Sequence, residues 1–68
     1  MTWVEAAFKA CELCDLPHPR FVEFADEGAL FVFDLDKILK HLDRVANLHA
    51  MIREAGGVGG LAAEAAAE

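Results

Sequence analysis

The sequence contains no serine, no tyrosine and no glutamine, and only one threonine (Thr2) and one asparagine (Asn47). Without serine there is no serine-hydrolase nucleophile. Without tyrosine there is no site built on a phenolic hydroxyl. Cations are scarce too: six Lys and Arg stand against twelve Asp and Glu, for a net charge of −6. Nonspecific nucleic-acid binding needs clustered cations to displace counterions, and an anionic membrane surface attracts the same residues. Neither is expected as a direct partner. The longest unbroken apolar runs are a few residues, far short of the ~20 that span a bilayer. The first ten residues, "MTWVEAAFKA", carry Glu5 where a signal peptide would have a basic region. A cytoplasmic location is the expectation.

What is present is grease. The chain has 68 residues, 56% of them hydrophobic, including five Phe and one Trp. One domain is the most this length allows. A chain this short buries only about 60% of the surface it exposes when unfolded, and such domains usually need a disulfide, a metal or a partner chain. The apolar surplus favours a partner.

Thr2 with Glu5 forms a capping-box pattern, which starts a helix near Trp3. Trp3, Ala7, Ala10, Cys11 and Cys14 fall on one side of it, with Val4 beside them. "DLPHPR" ends the helix, because its two prolines cannot continue it. "FVEFADEGALFVF", residues 21–33, then reads as a β-hairpin. A three-residue "DEG" loop with a left-handed Gly28 would place Val22, Phe24, Leu30 and Val32 on one face, and Phe21, Glu23, Phe31 and Phe33 on the other. A two-residue "EG" loop would shift the pairing and regroup them. In both cases apolar groups stand on both faces.

Asp34 is a candidate N-cap for a second helix, "LDKILKHLDRVANLHAMIREA". Leu35, Ile38, Leu39, Leu42, Val45, Ala46, His49 and Ile52 form a stripe roughly 140° wide that reads as core-facing. Leu48 and Met51 fall on its outer side. Gly56 and Gly57 stop the helix. "VGGLAAEAAAE" reads as a glycine hinge followed by a segment too short to be a stable helix alone. The expected fold is therefore α+β: a helix–hairpin–helix (αββα) domain over residues 1–57, with a flexible Gly/Ala-rich tail over 58–68.

Candidate chemistry is thin. Cys11 and Cys14, in "CELC", could ligate zinc together with His18. Their position inside a helical pattern, on its apolar stripe, points instead to core packing. The pair also sits at the C-terminal end of the helix, where the dipole does not lower a thiol pKa for redox work. His49 reads as a buried, hydrogen-bonded histidine or a pH-sensitive interface group. His41 and His18 read as solvated. "GGVGG" lacks the Lys-Ser or Lys-Thr of a phosphate loop. No acid/base pair, activated nucleophile or metal triad emerges, so no enzyme activity and no cofactor are expected.

Two helices with one apolar stripe each cannot cover both faces of a greasy ribbon. The expected function is a non-enzymatic protein–protein interaction subunit of a homo-oligomer or larger assembly. Its partner-binding residues would be Phe21, Phe31, Phe33, Leu48, Met51 and Leu61. Two alternatives remain open: a small acidic inhibitor or regulator of one protein partner, including one that imitates nucleic acid, and a zinc module on Cys11, Cys14 and His18. The "DEG" turn, the strand "LFVF" and the "LDK" start of the second helix, in the order helix–hairpin–helix–tail, resemble the head-to-tail joining protein W family of lambdoid phages. The resemblance covers residues 2–55 in architecture. It implies a ring-forming virion subunit that docks beneath a portal and inserts its tail into a neighbour, with no catalytic residues. The chain departs from that pattern in its acidity and in the two prolines before the hairpin.

Overall fold

The computed structural model describes residues 2–26 and 28–67. Helix α1, Trp3–Leu13, begins where the capping box places it. The Thr2 hydroxyl accepts from the Glu5 amide at 3.1 Å and donates to Glu5 Oε1 at 3.2 Å. The helix stops before the prolines. Asp15 turns left-handed, with φ of 58°. The Leu16 amide then donates to the Cys11 carbonyl (2.9 Å) and the Asp15 amide to the Glu12 carbonyl (3.1 Å). This is a Schellman closure, which usually falls on glycine. An aspartate there costs about 1 kcal/mol. The Arg44 guanidinium, 29 residues away, steadies the turn by donating to the Asp15 carbonyl at 3.1 Å.

Strands β1 (Phe21–Ala25) and β2 (Gly28–Val32) form a two-stranded antiparallel sheet. Phe21 pairs with Val32, Val22 with Phe31, Glu23 with Leu30, Phe24 with Ala29, and Ala25 with Gly28. Asp26 and Glu27 therefore separate the strands, and Gly28 opens β2 instead of closing a bulge; Glu27 itself lies outside the described residues. Neither expected register is the observed one. The observed pairing gathers Val22, Phe24 and Phe31 on one face and sends Glu23 to the other, with Phe21, Leu30 and Val32. The expected one would have placed Glu23 beside Phe31. Register follows whichever pairing buries the larger apolar set, and moving the carboxylate away from Phe31 favours the observed one. Apolar side chains still occupy both faces.

Asp34 caps the next helix with extended backbone but no side-chain hydrogen bond. Its carboxylate lies 3.4 Å from Arg20 Nε and 3.6 Å from Lys37 Nζ. The predicted second helix is broken in two. A four-residue α2 (Leu35–Ile38) runs into a 3-10 turn (Leu39–His41), and α3 (Leu42–Ala55) follows. The tighter 3-10 turn changes the rotational phase. Ile38 and Leu48 are buried, and His41, Arg44, Val45, Met51 and Ile52 are half-buried. Leu35, Leu39, Leu42, Ala46 and His49, all placed on the inward stripe by the sequence, face solvent. Leu48, placed outward by the sequence, is in the core.

The C-terminal segment also departs from expectation. Val58–Ala67 is a helix, α4, not a flexible tail. It packs chiefly along α1 and also against α3, and it buries Val58 and Ala62. The turn into it is specific. Gly56 is left-handed (φ 84°), and a second Schellman closure runs from the Gly57 amide to the Ile52 carbonyl at 2.9 Å. A methyl group on Gly60 would collide with the Ala55 carbonyl, so the helix can turn back this tightly only on glycine. Short alanine-rich helices are unstable alone. This one is stabilised by α1, whose Ala6, Ala7, Ala10 and Cys11 offer a face smooth enough for close approach.

The hydrophobic core joins α1, the Leu16 turn, Ile38 and Leu48, with Phe31, Phe33, Val45, Met51, Ile52 and Leu61 partly buried around it. Its largest fully buried side chain is Cys11. None of the five phenylalanines is buried, and neither is Trp3. Trp3 meets Phe24 edge-to-face at 5.5 Å, and this contact ties the hairpin to α1.

Candidate functional site

Because every aromatic side chain is at least partly exposed, the surfaces where the large apolar residues gather are the candidates. The first is a groove of about 550 Å³ between β2 and α3. Phe31 and Phe33, alternate residues on one side of the chain, form one wall. Their rings lie nearly parallel, 17° apart, with centroids 6.3 Å apart. Val45 and Ile52 form the other wall, and the buried Leu48 also borders the groove. His49 and Arg53 stand on the α3 side, one turn apart. No carboxylate belongs to the described lining. A smaller cleft, about 290 Å³, lies between Trp3, Phe24 and the Gly56–Gly59 turn, and shares Gly28, Ala29 and Gly57 with the groove.

The second surface is the unexpected outward stripe: Leu35 at 67% exposed, Leu39 at 55% and Leu42 at 56%. Lys37 and Lys40 are exposed on the same stretch of chain. The outer face of the hairpin, with Phe21 and Leu30 half-exposed, is a third.

Of the residues expected to bind a partner, Phe21 is exposed, and Phe31 and Phe33 form the groove wall. Met51 and Leu61 are half-buried against the core, and Leu48 is inside it. The residues that the sequence reading missed are Leu35, Leu39, Leu42 and Arg53. The three leucines were visible as apolar, but their direction depended on the 3-10 turn.

Cys11 and Cys14 are free thiols buried in the core cluster. Burial, with Cys14 and then Glu12 adding to it, pushes the Cys11 thiol up to about 11. Burial, then Asp15, also raises Cys14. A thiol held protonated is a poor nucleophile and a poor metal ligand. His18, the third member of the candidate zinc set, is occupied elsewhere. Its Nε2 lies 2.7 Å from Glu12 Oε1, and its ring packs on Phe8 at 5.0 Å. No three His, Cys, Asp or Glu side chains converge as a metal site among the described residues. His49, expected to be buried, is exposed beside the groove. His41 is half-buried, and its Nδ1 accepts from Arg44 at 3.1 Å.

No protein-family model, no curated protein and no solved structure matches the chain. No helix among the described residues is long and apolar enough to cross a membrane.

Proposed function

We propose that this chain is a non-enzymatic interaction subunit that works inside a protein oligomer or larger assembly. The observation that supports this reading is the placement of Leu35, Leu39 and Leu42 in solvent, on a domain that also leaves every phenylalanine at least partly exposed. Apolar surface gathered in this way costs nothing to a chain that is always partnered, and invites aggregation in one that is not. Covering the three leucines would contribute on the order of 5 kcal/mol by area, before association costs. A ring subunit, of the kind implied by the resemblance to the joining-protein family, is one form such an assembly would take.

Light scattering of the purified chain over a wide concentration range, alone and with its co-purifying partners, tests the reading. Association is expected, and the double variant Leu39→Glu, Leu42→Glu should abolish it while keeping the helical circular dichroism of the parent. A wild-type chain that stays monomeric, soluble and unpartnered throughout would sink the proposal.

A further inference from the structure

We infer that the groove between β2 and α3 is a docking site for an extended peptide segment, apolar at alternate positions and carrying a carboxylate, which adds as a third strand to β2. The inference rests on the reading of the chain as an interaction subunit and names the chemistry of one partner.

Three observations converge on it. Among the described residues the sheet has only two strands, so β2 has an open edge. The groove is lined from β2, the Phe33 that follows it, α3 and Gly57, and by no residue of β1, as a groove beside the free edge of β2 would be. An unpaired strand edge flanked by a helix supplies main-chain donors and acceptors for a strand laid between them, while side-chain pockets read alternate residues. Natural edges are commonly blunted by Lys or Pro. β2 and the Phe33 that follows it, "GALFVF", contain neither and carry no charge.

The second observation is spacing. Side chains on one face of a strand recur every two residues, ~6.7 Å apart. The Phe31 and Phe33 rings are 6.3 Å apart. Two alternate apolar side chains of an added strand would meet Phe31 and Phe33 in register, with Val45 and Ile52 opposite. The groove volume, about 550 Å³, lies inside the ~300–1,000 Å³ range of sites that bury compact ligands.

The third is charge. The chain as a whole has twice as many carboxylates as cations, yet the charged and titratable groups of the described lining are Arg53 and His49 alone. A segment bearing Asp, Glu or a C-terminal carboxylate would meet a guanidinium there with no acidic residue of the described lining to repel it. A second copy of β2, uncharged, would leave Arg53 unanswered.

A displayed library of random octapeptides, panned on the full chain, supplies the probe. Enriched peptides should alternate apolar residues and contain an Asp or Glu. Their binding should shift amide resonances of residues 29–33 and 45–53 and weaken about tenfold in Arg53→Glu, a change at an exposed position that leaves the fold intact. Panning on Arg53→Glu should exchange the acidic preference for Lys or Arg. Absence of enrichment, or enrichment indifferent to the charge reversal, would overturn the inference. So would concentration-dependent shifts of residues 29–33 in the chain alone, which would make a second copy the occupant. Shifts confined to Leu35, Leu39 and Leu42 would overturn the groove and leave the interaction reading standing.

Discussion

The side of the molecule where α4 lies on α1 and the side where β2 faces α3 are made of opposite materials. On the first, Ala6, Ala7, Ala10 and Ala62 are buried, and Gly59 lets α4 come close to Trp3. On the second, phenylalanine, valine and isoleucine stand apart around an open groove. The fully buried side chains are mostly small, and every aromatic is left at least partly in solvent, against the usual preference. The close-packed side gains many short contacts from little volume, which suits a chain too small for a large core. The open side leaves that bulk partly in solvent. On the proposed reading, stability rests mainly on the first face and recognition on the second, although Phe31, Phe33, Val45 and Ile52 also pack against the core.

The largest effect should come from the close-packed side. Deleting residues 58–68 removes α4 and uncovers the alanine face of α1. The loss, roughly 3–5 kcal/mol, rivals the whole stability expected of a domain this size. Circular dichroism and amide dispersion should show a chain largely unfolded at room temperature. An unchanged melting curve would mean that α4 stabilises nothing.

Next is the thiol at the centre of the same side. Cys11 is raised by burial, from an ordinary value of 9.0 to about 11. The folded state holds the proton more tightly than the unfolded state does. Its contribution is therefore complete below pH 9 and is lost as pH rises from 9 through 11, by at most about 3 kcal/mol. Thermal melts under reducing conditions should fall across that window. Cys11→Ala should melt lower at neutral pH but show a shallower decline; an identical slope would place the titration elsewhere.

Smaller still, and of opposite sign, is Asp15→Gly. Relieving the left-handed aspartate should raise stability by about 0.5–1 kcal/mol, seen as a higher denaturant midpoint. A loss would show that the Asp15 side chain contributes more than its backbone costs. Least of all, the Leu39→Glu, Leu42→Glu pair should move the stability of the lone chain by no more than about 0.5 kcal/mol. A large drop would place those leucines in the interior and erase the contrast between the two sides.

The sequence announced the elements better than their directions. Thr2 and Glu5 mark the first helix start because capping is local chemistry, readable within four residues. Gly56 marks the end of α3 for the same reason. The order helix, hairpin, helix was legible from periodicity. Three things were not. The register turned on Glu23 avoiding Phe31, a choice between faces and not between turn types. The outward leucines turned on a single 3-10 turn, which no average period contains. The fourth helix turned on long-range packing: "LAAEAAAE" has high helix propensity but is too short to be stable alone, and its partner was the run of alanines in α1, about 50 residues earlier. That alanine face, too small to fill space unless another helix came close, was the clue available in advance. The groove could not be read at all, since it exists only because β2 and α3 stop short of meeting.

The guanidinium that reaches from α3 to the Asp15 carbonyl has a kinetic corollary. The first bend of the chain is secured by a residue that arrives much later along it. During refolding α1 can coil early, but the path out of it stays unsettled until α3 docks. Arg44→Ala should therefore slow refolding more than it speeds unfolding, and would mark that crossing as part of the nucleus on which the rest of the chain assembles.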